Sequence, residues 1–465
     1  MNGQLQEDLS SLEKIFQLIS RQGSDYLKNI GERPASTIIE PAAPAHMPYE
    51  GIGTIETLRK FNDRWEPAMV AASGPRYWGF VTGGTTPASI AGDWLTTIYD
   101  QNTQSAKGDG DISAAIELET VGLLRELLEL PDAFLGGFVT GATMSNFTCL
   151  AVARQWLGQQ LGNDIAKEGI TQKMNILTAT PHSSSIKSLA LLGMGSSNIL
   201  QVKTMEGNRE AIDLHDLEAQ IRQLNGAPFI LISSAGTVNT VDFDDFSAIA
   251  ALRKQYHFWW HIDAAFGGFA ILSDTHKQLL KDWEQADSIT VDCHKWLNVP
   301  YENAVFFVKE QHRMLQVTTF QNSNAPYLGD PLEHFNYLNL LPENSRRLKA
   351  LPVWFTLHAY GRRGYRHIVE NNIRQAQNFG AFIRSRPELS LLAPVRLNTV
   401  CFSFSAPSDD AKKVTSFLAA LNKTGKIFMS PTHYKGQPGI RAAFVNFRTT
   451  EKDVELVQEL MGSLL

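Results

Sequence analysis

The sequence is poor in cysteine and has no excess of basic residues. Its three cysteines, Cys149, Cys293 and Cys401, lie far apart and form no Cys-x-x-Cys pair. This pattern is typical of reduced thiols in a cytosolic protein and argues against a disulfide framework. The 42 basic and 48 acidic residues give a net charge of −6. Nucleic acid is therefore not expected as the main partner, because phosphate backbones are bound by clustered Lys and Arg.

Long apolar runs and targeting signals are also missing. No stretch of about 18 residues is free of polar interruption, so we expect no membrane span. The first residues, Met1 to Asp8, include neither the basic nor the apolar segment of a secretory signal. We therefore expect a cytoplasmic protein. The 465 residues, 43% hydrophobic and 19% charged, are ordinary for a globular chain of about three domain equivalents.

The apolar pattern divides the chain into three parts. Residues 4–29 have helical periodicity and predict an arm that packs on the body or on a second subunit. From about residue 110 to 308, short apolar runs alternate with helical patterns, which predicts a mostly parallel sheet covered by helices on both faces. The remainder mixes strand-like runs with helices, as in an α+β unit. We place the three parts at 1–75 (arm), 76–345 (large domain) and 346–465 (small domain).

Ligands of such sheets lie beyond the carboxyl ends of the strands, so the residues there are candidates for a site. Lys295 follows the run 288–291 and is flanked by Trp296, and an apolar setting favours the neutral amine needed for Schiff-base chemistry. Asp263 ends another run, and a carboxylate there can keep a pyridine nitrogen protonated. The plain alternatives are a solvated surface lysine and an Asp that caps a helix or pairs with a cation.

Three further strand ends add weaker signals. Gly141-Ala142-Thr143 opens a helix and resembles an anion cup, although such a sequence is often only a helix cap. It matches neither a Walker loop nor a dinucleotide-binding pattern. His182 could stack on an aromatic cofactor or be a structural histidine. The hydroxyl of Thr237, after Gly236, could meet the substituents of a bound ring. Together, an anion cup, a histidine, a carboxylate and a lysine at one sheet edge indicate a single site.

In this order, His182, Asp263-Ala264-Ala265 and His294-Lys295-Trp296 resemble the group II pyridoxal-phosphate decarboxylases. This family contains the aromatic-L-amino-acid, histidine and glutamate decarboxylases, and the resemblance runs from about residue 50 to the end. It implies an α/β fold of the aspartate-aminotransferase type (fold type I) and pyridoxal 5′-phosphate as cofactor. It also implies a homodimer with active sites at the subunit interface.

The resemblance also implies roles for individual residues. Lys295 would form the Schiff base, Asp263 would pair with the pyridine nitrogen, and Ala265 and His182 would sandwich the ring. The residues implied to hold the phosphate are Ala142, Thr143 and His294.

Other parts of the resemblance concern the substrate. Tyr327 resembles the tyrosine of a mobile loop that reprotonates the substrate carbon, and Arg441 resembles an arginine that meets the substrate carboxylate. The segment 77–83, with Phe80 and Thr82, resembles a loop lent by one subunit to the pocket of the other. Two positions depart from the family pattern, namely Asp292, where Asn is usual, and Val238, where a second Thr is common.

We therefore expect decarboxylation of an L-amino acid to an amine and CO₂. Tyr77, Trp78 and Phe80 slightly favour an aromatic substrate, whereas Arg76 would favour an acidic one such as glutamate. The first alternative is oxidative deamination to an aldehyde, against which Tyr327 argues. Alternatives of another class are a non-catalytic scaffold of the same fold and a metal protein. The expected site contains no metal, because Asp292-Cys293-His294 lacks the spacing that a tetrahedral site requires.

Overall fold

The computed structural model describes residues 3–38, 44–105, 110–321, 335–405 and 410–465. Within them the chain forms one large and one small β-sheet with helices packed on them. Tyr327 lies outside the described residues.

The large sheet has seven strands in the order β1-β7-β6-β5-β4-β2-β3. Strand β7 runs antiparallel to its neighbours β1 and β6, and the other adjacent pairs are parallel. The prediction of a mostly parallel sheet is therefore confirmed. The strands are β1 (Phe134–Val139), β2 (Asn175–Thr178), β3 (Ile199–Gln201), β4 (Phe229–Ser234), β5 (Trp259–Asp263), β6 (Ser288–Val291) and β7 (Ala304–Lys309).

The apolar strand sequences reflect a sheet that is covered on both faces. In β4, Ile230 and Ile232 belong to one hydrophobic cluster, while Leu231 between them belongs to another. Successive side chains of a strand point to opposite faces, so an unbroken apolar run supplies both clusters at once. The helices preceding or covering this sheet are α3 (Thr54–Arg64), α4 (Pro87–Tyr99), α5 (Ser113–Leu127), α6 (Ala142–Gln160), α7 (Ile165–Glu168), α8 (Ser183–Leu191), α9 (Leu214–Gln223), α10 (Phe246–Leu252) and α11 (Arg313–Phe320).

A long helix, α12 (Ala350–Ser385), leads into the small sheet. It is broken at Gly361, whose φ of +56° is a conformation that glycine adopts without strain. The small sheet is antiparallel, in the order β10-β11-β9-β8. Its elements are β8 (Leu389–Leu391), β9 (Thr399–Phe404), α13 (Asp410–Lys423), β10 (Ser430–Tyr434), β11 (Gln437–Ala443) and α14 (Glu451–Leu464).

The N-terminal arm consists of α1 (Gly3–Ser10) and α2 (Leu12–Lys28), close to the predicted helix. Its apolar face is largely uncovered, since Leu9 and Phe16 are exposed while Ile15 is buried. None of the helices in the described ranges has the length and apolar character needed to cross a bilayer. The domain boundaries at 75/76 and 345/346 stay predictions.

Candidate active site

A cavity of about 260 Å³ opens at the carboxyl ends of β4 and β5 and beside the loop after β6. It is built largely from residues that follow strands, as expected for ligand sites of parallel sheets. The predicted site residues that line it are Phe80, Thr82, His182, Thr237, Asp263, Ala265, His294, Lys295 and Arg441. Ala142 and Thr143 start α6 nearby and are not part of this lining.

Lys295 lies in a turn-rich segment after β6, close to both an aromatic ring and a carboxylate. Its Nζ is 5.7 Å from the centroid of the Phe266 ring and 3.8 Å from Asp292 Oδ2. The apolar setting expected from the sequence is therefore only partly present, because Asp292 places an anion beside the amine. Asp292 is almost completely buried.

Asp263 ends β5 and is held by three donors. Its Oδ2 accepts hydrogen bonds from Asn146 Nδ2 at 2.9 Å and from Ser185 Oγ at 3.4 Å. Its Oδ1 accepts from the backbone N–H of Ala265 at 3.2 Å. A carboxylate in such a setting is fixed in orientation, and a cationic ring nitrogen in the cavity would be a suitable partner for it.

The predicted anion cup is closed by the side chain of Asp292. The backbone N–H of Ala142 donates to Asp292 Oδ2 at 3.3 Å, and Asp292 Oδ1 lies 2.6 Å from His294 Nδ1. Groups expected to hold a phosphate thus face a carboxylate of the same chain. Thr143 is exposed at the start of α6, where backbone N–H groups favour an anion. The space in front of Gly141 is open, since the nearest atom to a Cβ built there is in the His294 ring, 3.9 Å away.

His182 caps the start of α8, so its ring position is fixed by the local backbone. The backbone N–H of Ser184 donates to His182 Nδ1 at 3.2 Å, and Ser184 Oγ lies 2.7 Å from the same nitrogen. Burial lowers the pKa of His182 below its usual value, although the nearby Asp263 carboxylate acts in the opposite direction. The ring is therefore neutral near pH 7, and it faces the cavity.

The structure does not support the expected contact of the Thr237 hydroxyl with a bound ring. Thr237 Oγ1 donates to Glu210 Oε2 at 2.5 Å and accepts from the backbone N–H of Asp242 at 3.0 Å. Both hydrogen bonds tie the hydroxyl to this buried network. Thr237 therefore lines the cavity with its other atoms. The next residue, Val238, also lines the cavity.

The segment with Phe80 and Thr82 lines the cavity of its own chain, which differs from the expectation of a loop lent to a second subunit. Trp78 is buried in the core of the small domain, and the backbone N–H of Gly83 donates to the carbonyl of His294 at 3.1 Å. Because a Cβ on Gly83 would lie 1.9 Å from the carbonyl oxygen of Lys295, only glycine allows this close approach.

The small domain contributes Arg441, on β11, to the lining of the cavity. Its Nη1 donates to the carbonyl of Val238 at 3.2 Å, while its Nε is buried without a hydrogen-bond partner. Burial lowers its pKa from the usual value. A guanidinium with unused donor capacity at the cavity is a suitable partner for a substrate carboxylate.

Tyr301 lines the cavity but was missed by the sequence analysis. Its ring packs on His294 with a centroid distance of 4.1 Å, and its hydroxyl lies 3.1 Å from Thr82 Oγ1. Desolvation of the hydroxyl raises the pKa of the phenol, although much of the side chain is exposed at the mouth of the cavity, so the phenol stays protonated near neutral pH. The only available signal was an aromatic residue in the loop that follows Lys295, and the same pattern is common in a core.

A comparison with protein families shows to which family a chain with this cavity belongs. The model of the pyridoxal-dependent decarboxylase conserved domain matches residues 56–405, most of the chain and all of the cavity except Arg441. The chain belongs to the pyridoxal-dependent decarboxylase family.

Curated relatives agree with this assignment, and solved structures share the fold. The chain is 28% identical over 93% of its length to an aromatic-L-amino-acid decarboxylase of Bacillus atrophaeus, of which 90% is covered. It is 25% identical over 93% of its length to a phenylacetaldehyde synthase of a Rosa hybrid cultivar, of which 89% is covered. Tryptophan decarboxylase of Catharanthus roseus, solved with L-tryptophan, has the same fold with a TM-score of 0.86, 21% identity and 98% coverage of both chains.

Members of this family are pyridoxal-phosphate-dependent carboxy-lyases, and the chain is an enzyme of this class with that cofactor. The side chains that line the cavity suit its aldehyde and ring nitrogen, because an amine (Lys295) and a fixed carboxylate (Asp263) lie there. Its phosphate would meet the Asp292 carboxylate at the Ala142 amide. Within the described part of the chain, no group of three or more His, Cys, Asp and Glu side chains is arranged to hold a metal ion. Cys293 is buried in the main hydrophobic cluster.

Proposed function

We propose that this enzyme removes the α-carboxylate of an aromatic L-amino acid and releases the amine and CO₂. The observation that carries the proposal is the shared cavity. It contains Lys295 and Asp263 for the cofactor, Arg441 for a carboxylate, and the rings of Phe80 and Tyr301 for an apolar side chain. The chemistry of the wall therefore suits a substrate that is an amino acid at one end and aromatic at the other.

Each residue has a separate task in this reaction. Pyridoxal phosphate supplies the electron-withdrawing ring that takes up the electrons of the breaking Cα–carboxyl bond. Lys295 Nζ is the amine that holds the cofactor, and Asp263 keeps a proton on the ring nitrogen. Arg441 orients the substrate carboxylate. His182 presents its ring to the cavity. Because the resting ring is neutral, it can take up a proton from solvent and pass it to the α-carbon after CO₂ has left, which returns the ring to its neutral form. Tyr327, the other expected proton donor, lies outside the described residues.

The surroundings of Arg76 support an aromatic substrate over an acidic one. From the sequence, Arg76 would favour an acidic substrate such as glutamate. Its Nη1 pairs with Asp453 at 2.7 Å and its Nε donates to the carbonyl of Lys426 at 2.8 Å. A guanidinium bound in this way ties the loop to the small domain and is not directed at a substrate.

We further propose a cytoplasmic homodimer with its active sites near the subunit interface. The apolar face of α2 is exposed, and such a face is stabilised by a second copy of the chain. Phe80 and Tyr301 are also more than half exposed at the mouth of the cavity, so a neighbouring subunit could complete the wall. Light scattering of the purified enzyme would show the dimer or refute it.

The experiment for the main reaction uses the Lys295→Ala variant and a panel of L-amino acids. The wild-type holoenzyme should absorb in the visible range and release CO₂ and the amine from an aromatic member of the panel. Lys295→Ala should lose both the absorbance and the turnover, because Lys295 is the one lysine among the described residues that line the cavity. A coloured, active variant would refute the proposal, and a colourless wild type would favour a scaffold without catalysis.

A second candidate function is decarboxylation coupled to oxidative deamination, which would yield an aldehyde. It is favoured by the match to phenylacetaldehyde synthases from a Rosa hybrid cultivar and Arabidopsis thaliana. The same incubation separates the two reactions. An amine without oxygen consumption supports decarboxylation, whereas aldehyde, ammonia and hydrogen peroxide formed at the expense of oxygen support the alternative.

A further inference from the structure

A chain of buried polar side chains lies behind Asp263 and away from the cavity. It consists of Ser288, His261 and Asn146, all fully buried, and it ends at Asp263 Oδ2. Buried polar groups are normally hydrogen-bonded, so the chain could be only a satisfied part of the core. Its donors and acceptors, however, are ordered in one direction only, and they end on two residues of the cavity.

The direction follows from the carboxylate. Ionised Asp263 can only accept, so the atom of Asn146 that faces it at 2.9 Å is the amide nitrogen. The oxygen of Asn146 then faces His261 Nε2 at 2.8 Å, and this nitrogen must carry a proton. His261 Nδ1 is left as the acceptor for Ser288 Oγ at 2.9 Å. Because Trp259 Nε1 donates to Ser288 Oγ at 3.0 Å, the hydroxyl proton of Ser288 is available to His261.

His261 stays neutral in this position. Burial lowers the pKa of His261 to about 4, against the opposing effects of the Asp263 carboxylate and of a hydrogen bond with the Ser288 backbone. A neutral ring has one donor and one acceptor, which is what Asn146 on one side and Ser288 on the other require. The Asn146 amide is therefore locked against a flip by His261.

The same amide also reaches the second cavity residue. Asn146 Nδ2 donates to Ser184 Oγ at 3.1 Å, so the hydroxyl proton of Ser184 points to His182 Nδ1, 2.7 Å away. The backbone N–H of Ser184 donates to that nitrogen as well, at 3.2 Å. His182 Nδ1 is thus an acceptor, and the proton of the neutral ring is on Nε2.

We propose that His261 is a positioning residue of the active site, acting through Asn146 on the Asp263 carboxylate and, through Ser184, on the His182 ring. The proposal rests on the proposed function for the tasks of Asp263 and His182. Partners behind a functional side chain fix its orientation and tautomer, and their loss weakens a site without removing its reactive groups.

The test compares His261→Leu, which cannot donate to Asn146, with His261→Gln, whose amide offers a donor and an acceptor. Ser233→Ala is the matched control, because Ser233 is equally buried in the same sheet and loses a hydrogen bond from Trp260 Nε1. In each protein, the dissociation constant of pyridoxal phosphate is measured by titration of the apoenzyme, and kcat and KM are measured on the best substrate.

For His261→Leu we expect a dissociation constant up to roughly tenfold higher and a kcat up to roughly tenfold lower, the upper size expected for one lost hydrogen bond between neutral groups. KM should change little, because the residue does not touch the substrate. His261→Gln should restore both values to within about threefold. If His261→Leu matches Ser233→Ala in both measurements, the proposal is wrong. If His261→Leu does not fold, Asn146→Ala carries the same prediction.

Nitrogen NMR of histidine-labelled wild type tests the proton positions without any turnover. His261 and His182 should both appear as the Nε2–H tautomer at neutral pH. An Nδ1–H ring at either position would contradict the proposed hydrogen-bond directions. Failure of the proposed function looks different. An inactive wild type that still binds the cofactor, with weakened binding in His261→Leu, would contradict the proposed function but support the positioning role of His261.

Discussion

Gly83 offers a sharp test of how the substrate loop is seated, through the substitution Gly83→Ala. The new Cβ would lie 1.9 Å from the carbonyl oxygen of Lys295 and 3.0 Å from that of His294. Both obstacles are backbone atoms, which cannot swing aside like a long side chain. The loop, or the backbone of Lys295, must therefore move by about 1 Å to reach a tolerable separation.

A displacement of this size at a reacting group lowers catalysis by roughly 10²-fold, or about 2.7 kcal/mol of transition-state stabilisation. We expect kcat/KM of Gly83→Ala to fall by that amount. Trp78 keeps the rest of the loop anchored in the small-domain core, so the fold should persist. The assay is steady-state amine release, with a thermal melt of each protein.

The control is Gly122→Ala in α5, where the nearest atom to a new Cβ is 3.9 Å away. A glycine in a helix is less favourable than alanine by roughly 1 kcal/mol, so this variant should be at least as stable as wild type and fully active. Wild-type kcat/KM in a folded Gly83→Ala protein would refute the reasoning, because the loop would then not depend on the close approach.

Two further predictions concern buried carboxylates. Asp292→Asn should bind inorganic phosphate and pyridoxal phosphate more tightly than wild type, because it removes the negative charge that faces the Ala142 amide. Fluorescence titration of the apoenzyme would show this. The affinity for pyridoxal, which has no phosphate, should change less. Glu117→Gln should lower the free energy of unfolding by about 3–5 kcal/mol, since it leaves Arg346 buried without the carboxylate it contacts at 2.7 Å. Urea unfolding measures this, and Glu56→Gln, in the exposed pair with Arg59, should cost no more than about 1 kcal/mol.

Much of the fold and of the site was predictable from local sequence. Apolar runs and helical periodicity located the strands because a sheet covered on both faces requires continuous apolar strands. Lys295, Asp263 and His182 were found because parallel strands bring their carboxyl ends to one edge. The family resemblance added Arg441, which lies on the small sheet.

The rest depended on contacts between distant parts of the chain. No local pattern shows that the Thr237 hydroxyl is taken by Glu210, or that Asp292 turns towards Ala142 and His294. His261 and Asn146 looked like ordinary positions of a strand and a helix. Their importance appears only when donors and acceptors are followed from one element to the next.

The attachment of the 76–83 segment has a consequence for engineering. By chain order this segment belongs to the large domain, yet Trp78 packs against Phe379 and Phe444 and Tyr77 against Phe428, all from the small domain. Exchanging the segment alone between family members would separate it from its packing partners. A chimera intended to transfer substrate preference should therefore take the loop and the small domain together from the same parent.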